Sequence, residues 1–317
     1  MNYDVHTHIG LDTGFYLRGW WPYASTAADL LLQMDAHGID RAVALTFVLP
    51  AAFDAEAFAE RNEIELRPGR APFDRENVLL AGEIERLGAR QRLLQFAMFD
   101  PSREIDAQVK AIEPLVAAGA IRGLKTQSTV IRSPVRALLE QGRVLMELAG
   151  YHDLPVLFHT SVNDPWAQVA DCLEVARAFP NVRFNLAHSC RYHAPMLREC
   201  AAMANVWVDC SAHLAHCQLA RENSPAIAPA NERVRVDYKE PAEVLVAIHK
   251  MLGGDKYMWG SDHPFMSWCD DKLRIRYTYE QEMAVVRDLP ANVRRSMLSA
   301  APEAWLFGPR GEKEKAS

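Results

Sequence analysis

Eight short, mainly apolar runs recur along the chain, and most of them are followed by a stretch whose apolar residues are spaced three and four apart. The runs predict buried strands and the stretches between them predict amphipathic helices. Buried strands that alternate with helices indicate a parallel sheet covered by helices. Eight such units predict an α/β protein, a closed (β/α)8 (TIM) barrel. The predicted strands are residues 3–6, 41–47, 92–99, 121–125, 154–159, 182–188, 206–211 and 257–262.

The alternative fold is an open doubly wound sheet, but no GxGxxG turn follows the first run. A barrel of this type accommodates 317 residues in one domain. We expect the barrel to span residues 1–309 and residues 310–317 to form a flexible C-terminal tail. Two connections are long enough to be loop insertions: 48–72 after the second predicted strand and 212–240 after the seventh. Both lie on the side where barrel enzymes build their active sites, although the sequence assigns no role to 212–240.

Composition narrows the class of partner. The formal net charge is −6, which provides no basic surface for nucleic acid or for an anionic membrane. No apolar run reaches the roughly 20 residues needed to span a bilayer. The six cysteines contain no CxxC pair and are spread along the chain, a pattern typical of reduced, buried thiols. We therefore expect a cytoplasmic protein that acts on a small-molecule substrate.

Polar residues stand at the ends of several predicted strands, where a barrel places its active site. Residues i and i+2 of a strand face the same way, so His6 and His8 both point into the mouth of the barrel. Together with His159 and Asp262 they form a nitrogen and oxygen ligand set suited to Zn²⁺. Taken singly, His159 and His188 are more typical of hydrogen-bonded strand ends than of a metal site, an isolated HxH pair often arises by chance, and Asp262 is also typical of a helix or turn cap. The strand-end residues are His6, His8, Lys125, His159, His188 and Asp262.

The motifs DVHTH, GLK, VLFHT, NLAHS and WGSDHP, one on each of five predicted strands, resemble the amidohydrolase superfamily. The similarity is to its amidohydrolase-related branch, which includes decarboxylases and lactonases. The resemblance implies that the metal ligands are His6, His8, His159 and Asp262. It also implies that His188 is a catalytic acid or base, or a group that polarises the substrate.

The resemblance leaves the role of Lys125 open. In binuclear members a carbamylated lysine at this position bridges two metals, whereas in this branch a plain lysine commonly stands beside one metal. We expect one divalent ion, zinc or alternatively manganese. Lys125 is then expected to contact a substrate carboxylate or to form a salt bridge.

The loop after the first strand, GLDTGFYLRGWWPYAST, is rich in aromatic residues and contains one arginine. Arg18, Trp20 and Trp21 suit a flat or apolar substrate that bears a carboxylate, because a guanidinium binds a carboxylate through two parallel hydrogen bonds. Packing under the 48–72 loop, or a subunit contact, is an equal interpretation of the two tryptophans. After the seventh strand, His213 is a further candidate for substrate contact.

These residues favour metal-dependent hydrolysis of a small organic substrate by an activated water, with Asp262 as the proton carrier. The nearest alternative is a non-oxidative decarboxylase that uses the same metal site and acts on a conjugated or aromatic acid. A metal-free lactonase or a non-catalytic binding barrel is a third interpretation. A homodimer is a further expectation, since barrels of this kind often associate through helices or loops.

Overall fold

The computed structural model describes residues 1–17, 24–47, 49, 51–267 and 277–308. The strands are β1 (Tyr3–Leu11), β2 (Ala24–Ser25), β3 (Arg41–Thr46), β4 (Leu93–Met98), β5 (Gly123–Thr126), β6 (Val156–Phe158), β7 (Phe184–Leu186), β8 (Val206–Asp209) and β9 (Tyr257–Met258). They form one sheet in the order β2-β1-β3-β4-β5-β6-β7-β8-β9. Neighbouring strands are parallel, except that β2 is antiparallel to β1.

The sheet closes on itself because the chain around β9 hydrogen bonds to β1. The backbone N–H of Val5 donates to the carbonyl of Trp259 (3.2 Å), and the N–H of Asp262 donates to the carbonyl of His6 (2.8 Å). The predicted (β/α)8 barrel is therefore confirmed, with β1 and β3–β9 as its eight strands. The two-residue strand β2 was not predicted and only extends the end of β1.

Helices follow most strands, as a barrel requires. They are α1 (Thr13–Leu17), α2 (Ala27–His37), α3 (Asp74–Arg86), α4 (Ile105–Ala117), α5 (Ser128–Ile131), α6 (Arg143–Tyr151), α7 (Val169–Ala178), α8 (Ala194–Ala202), α9 (His213–Arg221), α10 (Pro241–Met251), α11 (Tyr279–Arg287), α12 (Ala291–Arg295) and α13 (Ala301–Phe307). Tighter or wider helical turns cover Ala57–Arg61, Val135–Leu139, His188–Tyr192, Phe265–Ser267 and Ser296–Ala300.

The bounds of α2 illustrate how local sequence sets a helix. The Thr26 hydroxyl accepts a hydrogen bond from the N–H of Asp29, and the Asp29 carboxylate accepts one from the N–H of Thr26. This reciprocal cap occupies two donors that the first turn leaves unpaired. At the other end Gly38 adopts a left-handed conformation (φ +68°), which suits glycine and ends the helix.

Two apolar clusters lie on opposite sides of the sheet. One packs the helices against the outer face of the strands. The other collects inward-facing residues of several strands, such as Val43, Leu94 and Leu157, as expected for a packed barrel interior. Trp305 of α13 belongs to this inner cluster and is fully buried, with its ring 5.4 Å from that of Phe96. The interior is therefore filled, and chemistry is confined to its open end.

A local irregularity in β1 sets the direction of its histidines. The pairing between β1 and β3 shifts register between Asp4 and Thr7. Val5 belongs to the inner cluster, and after the shift His6 and His8 line the cavity at the open end. A bulge of this kind redirects side chains, and bulges often occur next to active sites.

The two long connections contain structure of their own. Within 48–72, the described residues include the turn Ala57–Arg61 and a short pairing of Phe53 with Leu66. The 212–240 segment opens with α9 and then follows an irregular path to α10.

Among the described residues, no helix combines the length and apolar character required to cross a membrane. The five cysteines that lie among the described residues are free and buried.

Candidate metal centre and cavity

Three donor atoms converge at the open end of the barrel. Nε2 of His6 lies 3.3 Å from Nε2 of His8, and Oδ1 of Asp262 lies 3.5 Å from each of these nitrogens. All three residues are buried. Nitrogen ligands about 2.0–2.1 Å from a tetrahedral Zn²⁺ are about 3.3–3.4 Å apart. The spacing of this triangle of donor atoms therefore matches one face of such a site.

In His6 and in His8, the hydrogen bond of Nδ1 determines which ring nitrogen carries the proton. Nδ1 of His8 lies 3.0 Å from the carbonyl oxygen of Thr46, which only accepts, so this nitrogen carries the proton. Nδ1 of His6 lies 3.3 Å from Oδ2 of Asp209 and 3.0 Å from the Ser211 hydroxyl. Both Nε2 atoms then present lone pairs to each other. Two lone pairs and a carboxylate oxygen at this spacing are the chemistry of a cation site, and ligating histidines typically donate their other N–H in this way.

The charges around the triangle keep His6 and Asp262 in the protonation states that bind a cation. Burial and the nearby Lys125 lower the pKa of His6, although Asp209 and Asp262 oppose the shift. Burial favours the neutral form of Asp262, but the two histidines and Lys125 outweigh it and lower the pKa of this carboxyl. Near neutral pH the carboxylate is ionised and His6 is neutral, the protonation states that a metal requires.

Asp209 connects the triangle to His188. Its carboxylate accepts hydrogen bonds from Asn185 Nδ2 (2.8 Å), the backbone N–H of His188 (3.1 Å) and the Ser211 hydroxyl (2.6 Å). Burial alone would raise the pKa of Asp209, but His6 and the hydrogen bonds from Ser211 reverse the effect and lower it to about 2. The carboxylate is therefore ionised throughout the physiological range.

His188 lies between the triangle and a second group of histidines. Its Nδ1 is 2.9 Å from the Ser211 hydroxyl and 3.1 Å from the Ser211 carbonyl, which fixes the proton on Nδ1. Its ring centre is 5.3 Å from that of His6 and 4.7 Å from that of His159. Nε2 is therefore the nitrogen of His188 that is able to take up a proton.

His159 lines the same cavity but faces other partners. Its Nδ1 is 3.0 Å from Nε2 of His188, and its Nε2 accepts a hydrogen bond from Nη2 of Arg191 (2.9 Å). Burial and then Arg191 lower the pKa of His159 well below its ordinary value, so the ring is neutral. The structure thus brings His159 to the site without placing it in the triangle, and its role as a ligand stays a prediction.

Lys125 projects from β5 into this cavity and is fully buried. Its Nζ has no hydrogen-bond partner in the described part of the chain. Burial lowers the pKa of Lys125 to about 8, and Asp209 and Asp262 only partly oppose the shift. An unpaired ammonium beside a candidate cation site is a binding group for an anion.

The remaining predicted contacts have different outcomes. Arg18, Trp20 and Trp21 lie outside the described residues. His213 opens α9 but does not line the cavity: its ring contacts the Tyr192 hydroxyl (3.1 Å) and the Pro241 carbonyl (2.9 Å). His216, one turn further along α9, lines the cavity instead.

Sequence reasoning missed two further members of the site, Asp209 and Arg191. Asp209 stands in VWVDCS at the end of a predicted strand, so the rule that selected the other strand ends also applies to it. Arg191 carried no such signal, because it follows β7 by five residues and enters the cavity through an unusual backbone turn.

The fold and the triangle define a class: a (β/α)8 barrel enzyme with a site for a divalent cation. The amidohydrolase family model matches residues 3–308. The chain therefore belongs to the amidohydrolase family, and the protein is an enzyme of that superfamily. No curated protein matches the chain.

Solved structures of the same fold cover nearly the whole chain. A candidate 2-pyrone-4,6-dicarboxylic acid hydrolase from Pseudomonas putida is 19% identical (TM-score 0.60; 96% of this chain and 97% of that one). A zinc-bound amidohydrolase from Burkholderia multivorans is 14% identical (0.60; 98% and 100%). A 5-carboxyvanillate decarboxylase from Novosphingobium aromaticivorans with bound manganese is 12% identical (0.65; 96% and 97%). At these identities the likeness establishes the fold, and both hydrolases and decarboxylases share it.

Proposed function

We propose that the protein is a metal-dependent hydrolase of a small organic substrate that is cyclic or bears a carboxylate. The observation that carries this proposal is the triangle of His6 Nε2, His8 Nε2 and Asp262 Oδ1, in which two lone pairs and a carboxylate face one point. These three residues, with His159 as a fourth, are the proposed ligands. Ligation by His159 requires it to give up its contact with His188 or with Arg191.

One ion, zinc or alternatively manganese, fits the donor set. Imidazole and carboxylate ligands suit Zn²⁺, and carboxylate-containing sites also take Mn²⁺. The solved structures of this fold include one with zinc and one with manganese. The ammonium of Lys125 lines the cavity and has no hydrogen-bond partner among the described residues, which supports a contact with an anionic group of the substrate.

When bound, a divalent ion supplies Lewis-acid polarisation of a carbonyl and lowers the pKa of a coordinated water to about 7. Asp262 is placed to accept the proton of the attacking water, because its carboxylate lies in the triangle and is ionised. The same carboxyl then delivers the proton to the leaving group. His188, with Nδ1 fixed on Ser211, exchanges protons through Nε2 as the second acid or base.

The size and charge of the cavity favour a small anionic substrate. The cavity has a volume of about 210 Å³, below the usual range for drug-sized ligands. Its lining includes the unpaired ammonium of Lys125, which a substrate carboxylate would neutralise. Phe265 and Val130 provide an apolar part of the lining. A compact lactone or amide that carries a carboxylate meets these requirements.

A second candidate is non-oxidative decarboxylation of a conjugated or aromatic acid. The unpaired Lys125 beside the triangle favours it, because this ammonium would hold the carboxylate next to the reacting carbon. His188 would then protonate that carbon as CO2 leaves. One of the solved structures of this fold is a decarboxylase of an aromatic acid.

The deciding experiment uses the metal-loaded protein with a panel of lactones, amides and conjugated aromatic acids in water labelled with 18O. Hydrolysis predicts label in the product acid and no CO2, and decarboxylation predicts CO2 and an organic product without label. Activity is expected to disappear in Asp262→Asn and to fall at least about 100-fold in His188→Gln. A His152→Gln variant, altered just after the C-terminal end of α6 and away from the cavity, is the control and should retain full activity. Full activity after removal of the metal would contradict both candidates.

A further inference from the structure

Arg191 lines the cavity and all of its partners are neutral. Its Nε donates to the carbonyl of Thr160 (2.7 Å), its Nη2 to Nε2 of His159 (2.9 Å) and its Nη1 to Nε2 of His216. Each of these imidazole nitrogens accepts from the guanidinium and therefore carries a lone pair, so both rings are neutral. Among the described residues, no carboxylate forms an ion pair with Arg191.

The unused donors of Arg191 match a carboxylate. A guanidinium carries five N–H bonds, and three of those in Arg191 are occupied. One N–H therefore remains on each terminal nitrogen, and both are donors that a carboxylate oxygen accepts from. Guanidinium groups that are removed from water are normally paired with an anion, so these donors suit a carboxylate of the substrate.

The backbone that carries Arg191 is strained. The five residues His188–Tyr192 all have positive φ, between +47° and +62°, and none of them is glycine. A left-handed conformation is unfavourable for each such residue, because it brings Cβ too close to the following carbonyl oxygen. Strain of this kind persists where surrounding structure enforces it, and it clusters at binding and active sites.

The 212–240 segment is the structure that enforces this turn. The N–H of Ala228 donates to the carbonyl of Arg191 (3.1 Å), and the N–H of Val234 donates to the carbonyl of Tyr192 (3.0 Å). His216 of α9, in the same segment, contacts the guanidinium. The connection to which the sequence assigned no role thus holds Arg191 in the cavity.

We propose that Arg191 binds a carboxylate of the substrate other than the group that reacts at the triangle. The inference rests on the proposed function, because it takes the triangle of His6, His8 and Asp262 as the place of reaction. The two groups belong to one cavity: the centre of the His188 ring is 5.3 Å from that of His6 and 4.7 Å from that of His159, the partner of Arg191. The substrate class is therefore a small acid whose second functional group, an ester, amide or carboxylate, reaches the triangle.

The test measures binding rather than turnover. Metal-loaded protein is titrated calorimetrically with malonate, succinate, glutarate, adipate and isophthalate, each compared with its own monoamide. We expect at least one diacid to bind ten times more tightly than its monoamide, and Arg191→Gln to abolish that preference. Arg183→Gln is the matched control, because Arg183 is also a half-buried arginine that donates to backbone carbonyls, but it precedes β7 at the opposite end of the barrel.

Two outcomes would overturn the inference: no diacid is preferred over its monoamide, or the preference survives in Arg191→Gln. If Arg191→Gln does not fold, Arg191→Lys retains the charge with a single donor nitrogen and should lose most of the preference. Metal content is measured on the same samples. Absence of metal together with an Arg191-dependent preference would refute the proposed function and leave the carboxylate site standing.

Discussion

The carboxylate of Asp209 lies 3.3 Å from Nδ1 of His6, on the side of the ring opposite the triangle of donor atoms. Both residues are buried, and the contact orients the lone pair of His6 Nε2 toward His8. Outer partners of this kind typically contribute 10- to 100-fold to metal affinity. Asp209 is therefore expected to matter for a metal that it does not touch.

Asp209→Asn is predicted to weaken metal binding by about 10- to 100-fold without abolishing it. The amide keeps the shape of the carboxyl but lacks the charge that holds the proton on Nδ1 of His6. The measurement is competition with a chelator of known affinity. Asp171→Asn, a change on α7 outside the cavity, provides the control. Equal affinities in the two variants would show that Asp209 does not orient the ligand.

Lys125→Met is predicted to stabilise the metal-free protein at pH 7 by at least about 1 kcal/mol while impairing substrate binding. The methionine has a similar volume and removes a buried, unpaired charge. Because burial lowers the pKa of Lys125 from 10.5 to about 8, the folded protein carries the full cost of the charge below pH 8. That cost is progressively relieved between pH 8 and 10.5, so the advantage of the variant should shrink over this range.

Urea denaturation of the chelator-treated protein at pH 7 and pH 10 measures this effect. Lys110→Met, an exposed substitution on α4, should change the free energy of unfolding by less than about 0.5 kcal/mol. A parent protein more stable than Lys125→Met at pH 7 would mean that the ammonium has a partner in solution.

Glu282→Gln is predicted to stabilise the protein by an amount that grows as the pH rises from about 4.5 to 8. Glu282 is buried on α11, where Oε1 accepts a hydrogen bond from the N–H of Leu214 (3.1 Å). Burial raises the pKa of Glu282 from 4.5 to about 8. The unfolded chain ionises first, so stability falls as pH rises from 4.5 and levels off above 8. A glutamine keeps the acceptor and cannot ionise.

Denaturation curves at pH 5, 7 and 9 check this prediction. The two proteins should be nearly equal at pH 5, and the variant should be more stable by at least about 1 kcal/mol at pH 9. Glu280→Gln, an exposed change on the same helix, should not produce this pH dependence. A constant difference at all three pH values would rule out titration of Glu282.

The barrel and the histidines of its mouth were predictable because they depend on periodicity. Apolar runs mark buried strands, and the i, i+2 spacing of His6 and His8 directs both toward one face. The register shift before Thr7, which completes that geometry, leaves no such mark. It arises in the pairing of β1 with β3, two strands that are distant from each other in the sequence.

Arg191 shows why the rest of the site was not predictable. Its entry into the cavity depends on five consecutive left-handed residues, which no local propensity favours, and on contacts with the 212–240 segment. His213 and His216 differ by less than one turn of α9, yet only His216 lines the cavity. Packing determines which side of a helix faces a site. The sequence pattern does not show which residue within one helical turn lies on that side.

The central claim is that His6, His8 and Asp262 hold one divalent ion. The most direct measurement is elemental analysis of protein purified without added metal, compared with a His6→Ala, His8→Ala double variant and with His152→Ala as control. We predict about one equivalent of zinc or manganese in the parent and in the control, and none in the double variant. A parent that contains no metal even after reconstitution, or a double variant that retains it, would contradict the account.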